Sequence, residues 1–144
     1  MFYGEYIHNL DNKDRFVLPS KFRNIANEQK LKIFYLTRGL DKCLFLFPIT
    51  EWKKLEESFK NLPFTKSESR AFNRLFFSGA VQIKFDSLGR ATIPVYLKEF
   101  AQIRREIVII GISNRIEIWG RDIWESYYRI NKEKFESIAQ DLIV

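Results

Sequence analysis

The chain has 144 residues, 46% of them hydrophobic and 16% aromatic, with fourteen Phe and a formal charge of +6. That is about one domain's length with apolar mass enough for a core, which excludes a disordered chain, and the positive balance favours a polyanionic partner because each neutralised phosphate releases counterions. One Cys and one His exclude an intrachain disulfide and a Cys/His zinc site, and with no Gly-rich phosphate loop they leave no constellation for an enzyme, cofactor or small-molecule substrate.

The N-terminal stretch Met1–Glu5 lacks a basic region followed by an apolar run, so no signal peptide is expected. No apolar run approaches the length of a membrane span, and the lone thiol suits a reducing cytosol. In chain order, Tyr3–Ile7 reads as a strand, Asp11–Arg15 as a turn, Phe16–Leu18 as a second strand and Pro19–Ile25 as a further turn. His8 falls at a strand end. Leu31–Leu36 and Cys43–Phe47 follow as strands, with Cys43 a buried, inert thiol. Trp52, Leu55 and Phe59 mark one helical face, and Pro63 separates it from a second helix. Thr65 and Glu68 read as a capping box for that helix, whose apolar face is Phe72, Leu75 and Phe76.

Val81, Ile83 and Phe85 alternate with polar or small neighbours, the period of a half-buried strand. Asp86–Arg90 turns, with Gly89 free to take positive φ, and Ala91–Ile93 is a short strand. Pro94 suits the first position of a helical turn carrying Leu97, Phe100 and Ala101. Ile107–Ile112 and Arg115–Trp119 form a hairpin across Ser113-Asn114. Asp122 and Glu125 repeat the capping spacing, and Trp124, Tyr127, Tyr128, Phe135 and Ile138 run along one long terminal helix.

The chain repeats itself. Asp11-Asn12-Lys13-Asp14-Arg15-Phe16-Val17-Leu18-Pro19 returns 75 positions on as Asp86-Ser87-Leu88-Gly89-Arg90-Ala91-Thr92-Ile93-Pro94. Gly39, Leu44, Leu46, Phe47 and Trp52 return 72 positions on as Gly111, Ile116, Ile118, Trp119 and Trp124. Two matches in the same order make a duplication. The expected organisation is a module over residues 5–47, a helical connector over 48–76, a second module over 77–120 and a terminal helix over 121–144. Residues 1–75 hold fourteen basic and nine acidic side chains, residues 76–144 ten and nine, so the positive charge belongs to the first half.

The start Met1-Phe2-Tyr3-Gly4-Glu5-Tyr6, the two Asp-x-x-x-Arg turns and Ile93-Pro94 closely resemble MraZ proteins over nearly the whole chain. These are bacterial transcriptional regulators with tandem SpoVT-AbrB, or swapped-hairpin, modules. The resemblance implies an α+β, β-rich fold in which the two modules pair as a single-chain pseudo-dimeric β-barrel with flanking helices. It also implies a higher homo-oligomer, often a ring, binding double-stranded DNA at repeated boxes upstream of division and cell-wall genes, hence a cytoplasmic and nucleoid location. The chain departs from the family in carrying Asp14 where Gly usually precedes the first Arg; Asp tolerates the left-handed region better than most residues.

Asp is a turn opener whose carboxylate accepts amides two or more residues on, and Arg then projects from a rigid strand to a guanine edge or a phosphate. Arg15 and Arg90 are therefore the candidate DNA contacts, and Asp11, Asp86 and Gly89 shape the turns. An internal Asp–Arg ion pair is the competing reading. Lys13, Lys21 and Arg23 accompany the first motif as phosphate contacts, followed by Lys30, Lys32 and Arg38; the positions matching the first three in copy two are Leu88, Tyr96 and Lys98. Copy one is thus expected to make the stronger phosphate contacts and copy two to serve assembly. An assembly protein that has lost DNA binding, or an antitoxin, are the alternative functions, the folded terminal helix standing against the antitoxin.

Overall fold

The computed structural model describes residues 1–143. In chain order these form β1 (Phe2–Asn9), β2 (Arg15–Val17), α1 (Ser20–Glu28), β3 (Phe34–Arg38), β4 (Leu44–Pro48), α2 (Ile49–Phe59) and α3 (Ser67–Ser78). The second copy follows as β5 (Val81–Ile83), β6 (Arg90–Thr92), α4 (Val95–Phe100), β7 (Glu106–Ser113), β8 (Arg115–Gly120), α5 (Arg121–Lys132) and α6 (Phe135–Ile143). The chain is α+β: a six-stranded antiparallel sheet in the order β1-β7-β8-β4-β3-β5, a two-stranded ribbon β2-β6, and helices around them.

Each copy lends its first strand to the other. β1 pairs with β7 along its whole length, and β5 pairs with β3. The sheet order reads the same from either end once each strand is replaced by its repeat-mate. In the ribbon, Phe16 lies opposite Ala91, its own counterpart 75 residues on. In the sheet, Phe45 lies opposite Glu117, its counterpart 72 residues on. A pseudo-two-fold axis therefore passes through both pairs. The sheet registers also equate Phe34 with Ile107 and Leu36 with Ile109, an offset of 73. Gly39 and Gly111 are accordingly one step out of structural equivalence, the shorter β7–β8 turn absorbing the difference.

Alternation along the central strands supplies two cores. Leu44 and Leu46 of β4 and Ile107 and Ile109 of β7 join Phe2, Phe16, Phe22, Phe34 and Leu97 beneath the ribbon, α1 and α4. Phe45, Phe47, Val108 and Ile110 face the other way, against Trp52, Phe76 and Trp119. With both faces covered, β4 is buried throughout and its sequence is continuously apolar. Thr37 and Glu117 are buried polar residues on this face. The Thr37 hydroxyl donates to Phe76 O, and the Glu117 carboxylate accepts from Arg115 at 2.9 Å and from Trp119 Nε1 at 3.0 Å.

Among the described residues no strand ladder joins the sheet edges β1 and β5, and the ribbon strands, three residues each, pair with one another over the sheet. Several local expectations need correction. Pro19–Ile25 is not a turn but runs into α1, because Phe22 and Ala26 bury one helical face. The Thr65/Glu68 capping box does not form: α3 opens at Ser67, with Lys66 at the cap and no side-chain cap bond. Asp122 likewise sits inside the first turn of α5, where it complements the helix dipole without capping. Pro94 is the cap residue of α4, one position before the helix. Leu75 is exposed, and the terminal helix divides at Glu133–Lys134.

Candidate nucleic-acid interface

The two turns are built alike, atom for atom. Asp11 Oδ1 accepts the amides of Lys13 at 2.9 Å and Arg15 at 3.0 Å, while Oδ2 accepts Arg15 Nε at 2.7 Å. Asp86 Oδ1 accepts the amides of Leu88 at 2.9 Å and Arg90 at 2.8 Å, and Oδ2 accepts Arg90 Nε at 2.8 Å. The Arg15 amide foremost, with its guanidinium and the Lys13 amide, holds the Asp11 carboxyl down to about 2 against some desolvation. The same set lowers Asp86, its largest cause being the Arg90 amide. Both aspartates stay ionised, and both arginines are locked in direction.

The ion pair anticipated as a competing reading thus forms, yet it engages only Nε of each guanidinium. Among the described residues no acceptor meets the terminal nitrogens of Arg15 or Arg90, and the two side chains keep 25% and 32% of their surface exposed. The pleat directs Phe16 and Ala91 into the core, so their neighbours Arg15, Val17, Arg90 and Thr92 share the outer face. Arg15 opposes Thr92 and Arg90 opposes Val17, placing the arginines diagonally across the pseudo-axis, about 7–8 Å apart at the backbone.

Asp14 takes the left-handed conformation at φ 58°, as its counterpart Gly89 does at 76°. The turn survives the substitution. The two turns are also tied across the axis, Leu18 N donating to Gly89 O at 2.8 Å and Ile93 N to Asp14 O at 2.9 Å. Where the copies differ, they differ in charge. Asp14 does not oppose Arg15 but pairs with Lys98 of α4 at 2.9 Å. At the equivalent place Arg23 of α1 lies over Gly89, where a Cβ would come within 2.6 Å of its Cδ, and donates to Leu88 O at 3.3 Å. Lys98 is the repeat-mate of Arg23, so one basic helix position serves both turns, neutralised in one and free of a carboxylate in the other.

The remaining basic residues divide. Lys13 and Lys21 are exposed beside β2 and on α1. Arg23, with Lys32 and Lys84, lines an open cavity of about 520 Å³ between α1 and the Asp86 turn. Lys84 escaped the sequence reading; its signal was the polar phase of the Val81–Phe85 alternation. Arg38, half-buried, is turned onto the protein: Nη1 donates to Leu75 O at 2.7 Å and its guanidinium lies over Tyr96. Because α1 of copy one packs on the turn of copy two, Arg23 lies beside the second Asp–Arg turn rather than the first. His8 is a partly buried residue near the end of β1, and Cys43 is buried, with its thiol pushed far up by desolvation. No helix is long and apolar enough to cross a membrane, and no cluster of metal-ligating side chains occurs, among the described residues.

Fold and site together define a single-chain pseudo-dimer, two copies of one β-rich module presenting a pair of Asp-clamped arginines about an internal two-fold. A family profile described as "MraZ protein, putative antitoxin-like" matches residues 1–75 and again residues 76–144. The chain belongs to the MraZ family, a family of regulators.

Proposed function

We propose that this chain is a sequence-specific DNA-binding transcriptional regulator that docks the outer face of the β2–β6 ribbon in a duplex groove. A major groove admits a two-stranded ribbon, and a guanidinium edge matches guanine O6 and N7. In this reading Arg15 and Arg90 contact base edges with the nitrogens their aspartates leave free. Asp11, Asp86 and Gly89 set the turns, and Lys13, Lys21 and Arg23 contact phosphates. Residues 5–47 and 77–120 are the two SpoVT-AbrB modules, their ribbon and sheet the two layers of a swapped-hairpin barrel. The protein works in the cytoplasm at the nucleoid, as a homo-oligomer on repeated boxes upstream of division and cell-wall genes.

One observation carries the proposal: two rigidly aimed, part-exposed arginines on one face, related by a pseudo-axis, each with its terminal nitrogens unclaimed. Selection of bound sequences from random duplex DNA, followed by affinity measurement, tests it. Arg15→Ala or Arg90→Ala should cost about 1–3 kcal/mol on the selected site and relax preference at one position, whereas Lys21→Ala should weaken all sequences alike and lower the salt slope by about 1. Recovery of no preferred sequence, from a chain that still oligomerises, would favour the assembly-protein alternative.

A further inference from the structure

The pseudo-two-fold makes each place in one half comparable with its mate in the other, and the cavity between α1 and the Asp86 turn is not matched in charge. It spans about 520 Å³, within the range of small-molecule sites. The β3–β5 register, with Phe34 opposite Ile83, brings the residues just before β3 alongside those just after β5, so Lys32 and Lys84 line the same rim. Arg23 enters from α1, held by its bond to Leu88 O at 3.3 Å. None of the three cations meets a carboxylate among the described residues. The acid of the wall, Asp86, is already engaged: its oxygens accept the amides of Leu88 and Arg90 and Arg90 Nε. Beneath the rim the floor is apolar, made by the buried Leu18 and Phe34 and the half-buried Phe85.

The equivalent place in the other half is built from different side chains. By the repeat offsets, Arg23 answers to Lys98, Asn24 to Glu99, Lys84 to Asn9 and Lys32 to Arg105. Lys98 is neutralised there by Asp14 at 2.9 Å, a carboxylate replaces the Asn24 amide, and a neutral amide replaces the Lys84 ammonium. Both halves fold alike, so the fold itself does not require three uncompensated cations around one cavity. Like charges gathered without a partner repel and oppose the compact state, and a bound anion offsets that cost because it binds the folded chain alone. Chemistry narrows the anion. A cationic rim above an apolar floor suits a ligand with a compact, highly charged group at one end and an uncharged body at the other. Phosphate is the group that an arginine fork and two ammonium point charges match.

We propose that this cavity binds a small organic phosphate, its phosphate group held by Arg23, Lys32 and Lys84 and its apolar or ring-shaped body lying on Leu18, Phe34 and Phe85. The site rests on the cavity and not on DNA binding, so its failure and that of the regulator reading are separable. The full chain, without DNA and at constant ionic strength, is titrated with phenyl phosphate and followed by amide NMR. The signals of Arg23, Lys32 and Lys84 move together and saturate. Lys32→Ala or Lys84→Ala, both at exposed positions, weakens binding by about tenfold, as loss of one charged partner does. Lys98→Ala, at the mate of Arg23 in the other half, leaves it unchanged. A second titration uses a duplex of arbitrary sequence in place of phenyl phosphate. Cavity signals that move with the duplex and not with phenyl phosphate would assign the three cations to the nucleic-acid backbone and overturn the proposal. So would shifts spread equally over Lys13 and Lys21, an unaltered affinity in Lys84→Ala, or an equal loss in Lys98→Ala.

Discussion

Replacing Asp14 with Gly restores the residue that copy two uses at the same place and isolates what the carboxylate does. Three contributions to stability nearly cancel. The left-handed backbone at φ 58° costs an L-residue about 1–2 kcal/mol, which Gly removes. Gly returns about 0.5–1 kcal/mol of that through the greater freedom of its unfolded chain. The Lys98 ion pair, with side chains 21% and 35% exposed, is worth about 0.2–1 kcal/mol after solvent screening. The melting temperature should therefore move by no more than about 4 °C.

DNA binding should change far more. The variant frees the Lys98 ammonium beside the ribbon, and one added phosphate contact steepens the dependence of log affinity on log salt by about 0.9. If the two lines meet near 1 M salt, that is about eightfold tighter binding at 0.1 M. Fluorescence anisotropy with a labelled duplex of arbitrary sequence, across a salt series, measures the slope directly. Adding Lys98→Ala should return it to the starting value. Parallel salt lines for Asp14→Gly and the unaltered chain would refute the reasoning, as would a melting temperature lowered by ten degrees or more.

Two further outcomes follow from the same contacts. The Asp11 carboxyl, followed by NMR, should titrate near 2 rather than 3.8; because the folded value is depressed, its stabilisation of the turn is present above about pH 4 and is lost as pH falls towards 2. A midpoint near 4 would mean that the Arg15 clamp does not persist in solution. Gly111→Ala should cost about 1–3 kcal/mol or more in urea unfolding, because its Cβ would lie 2.5 Å from the β1 backbone at Phe2 and Tyr3. Gly79→Ala, whose Cβ meets the flexible Arg38 side chain at 2.8 Å, should lose less, and equal losses would argue that β1 is not held tightly on β7.

Much of this molecule is legible without coordinates. The Asp-x-x-x-Arg turns, the strands around them and the buried thiol all follow from local spacing, since turn chemistry and alternation act within a few residues. The tolerance of Asp for the left-handed region anticipated φ 58° at Asp14. Helix boundaries were less legible: Thr65 and Asp122 have capping-box spacing, but Lys66 and Gly120 occupy the cap positions, because packing of the aromatic faces decides where a helix starts. The division at Glu133–Lys134 carries no Pro or Gly to mark it.

The amino-acid order by itself established that one module is written twice and that each copy opens a turn with Asp and closes it with Arg. Only the tertiary structure decided which copy each strand and helix serves. β1 belongs to copy one in sequence and to β7 in space, and Arg23 and Lys98 each attend the other copy's turn. The reason is that two equivalent copies offer equivalent local pairings, so sequence spacing cannot tell a strand paired within its own copy from one paired across. Burial of both sheet faces at once selects the crossed arrangement, and that choice, not any single residue, brings the two arginines to one surface.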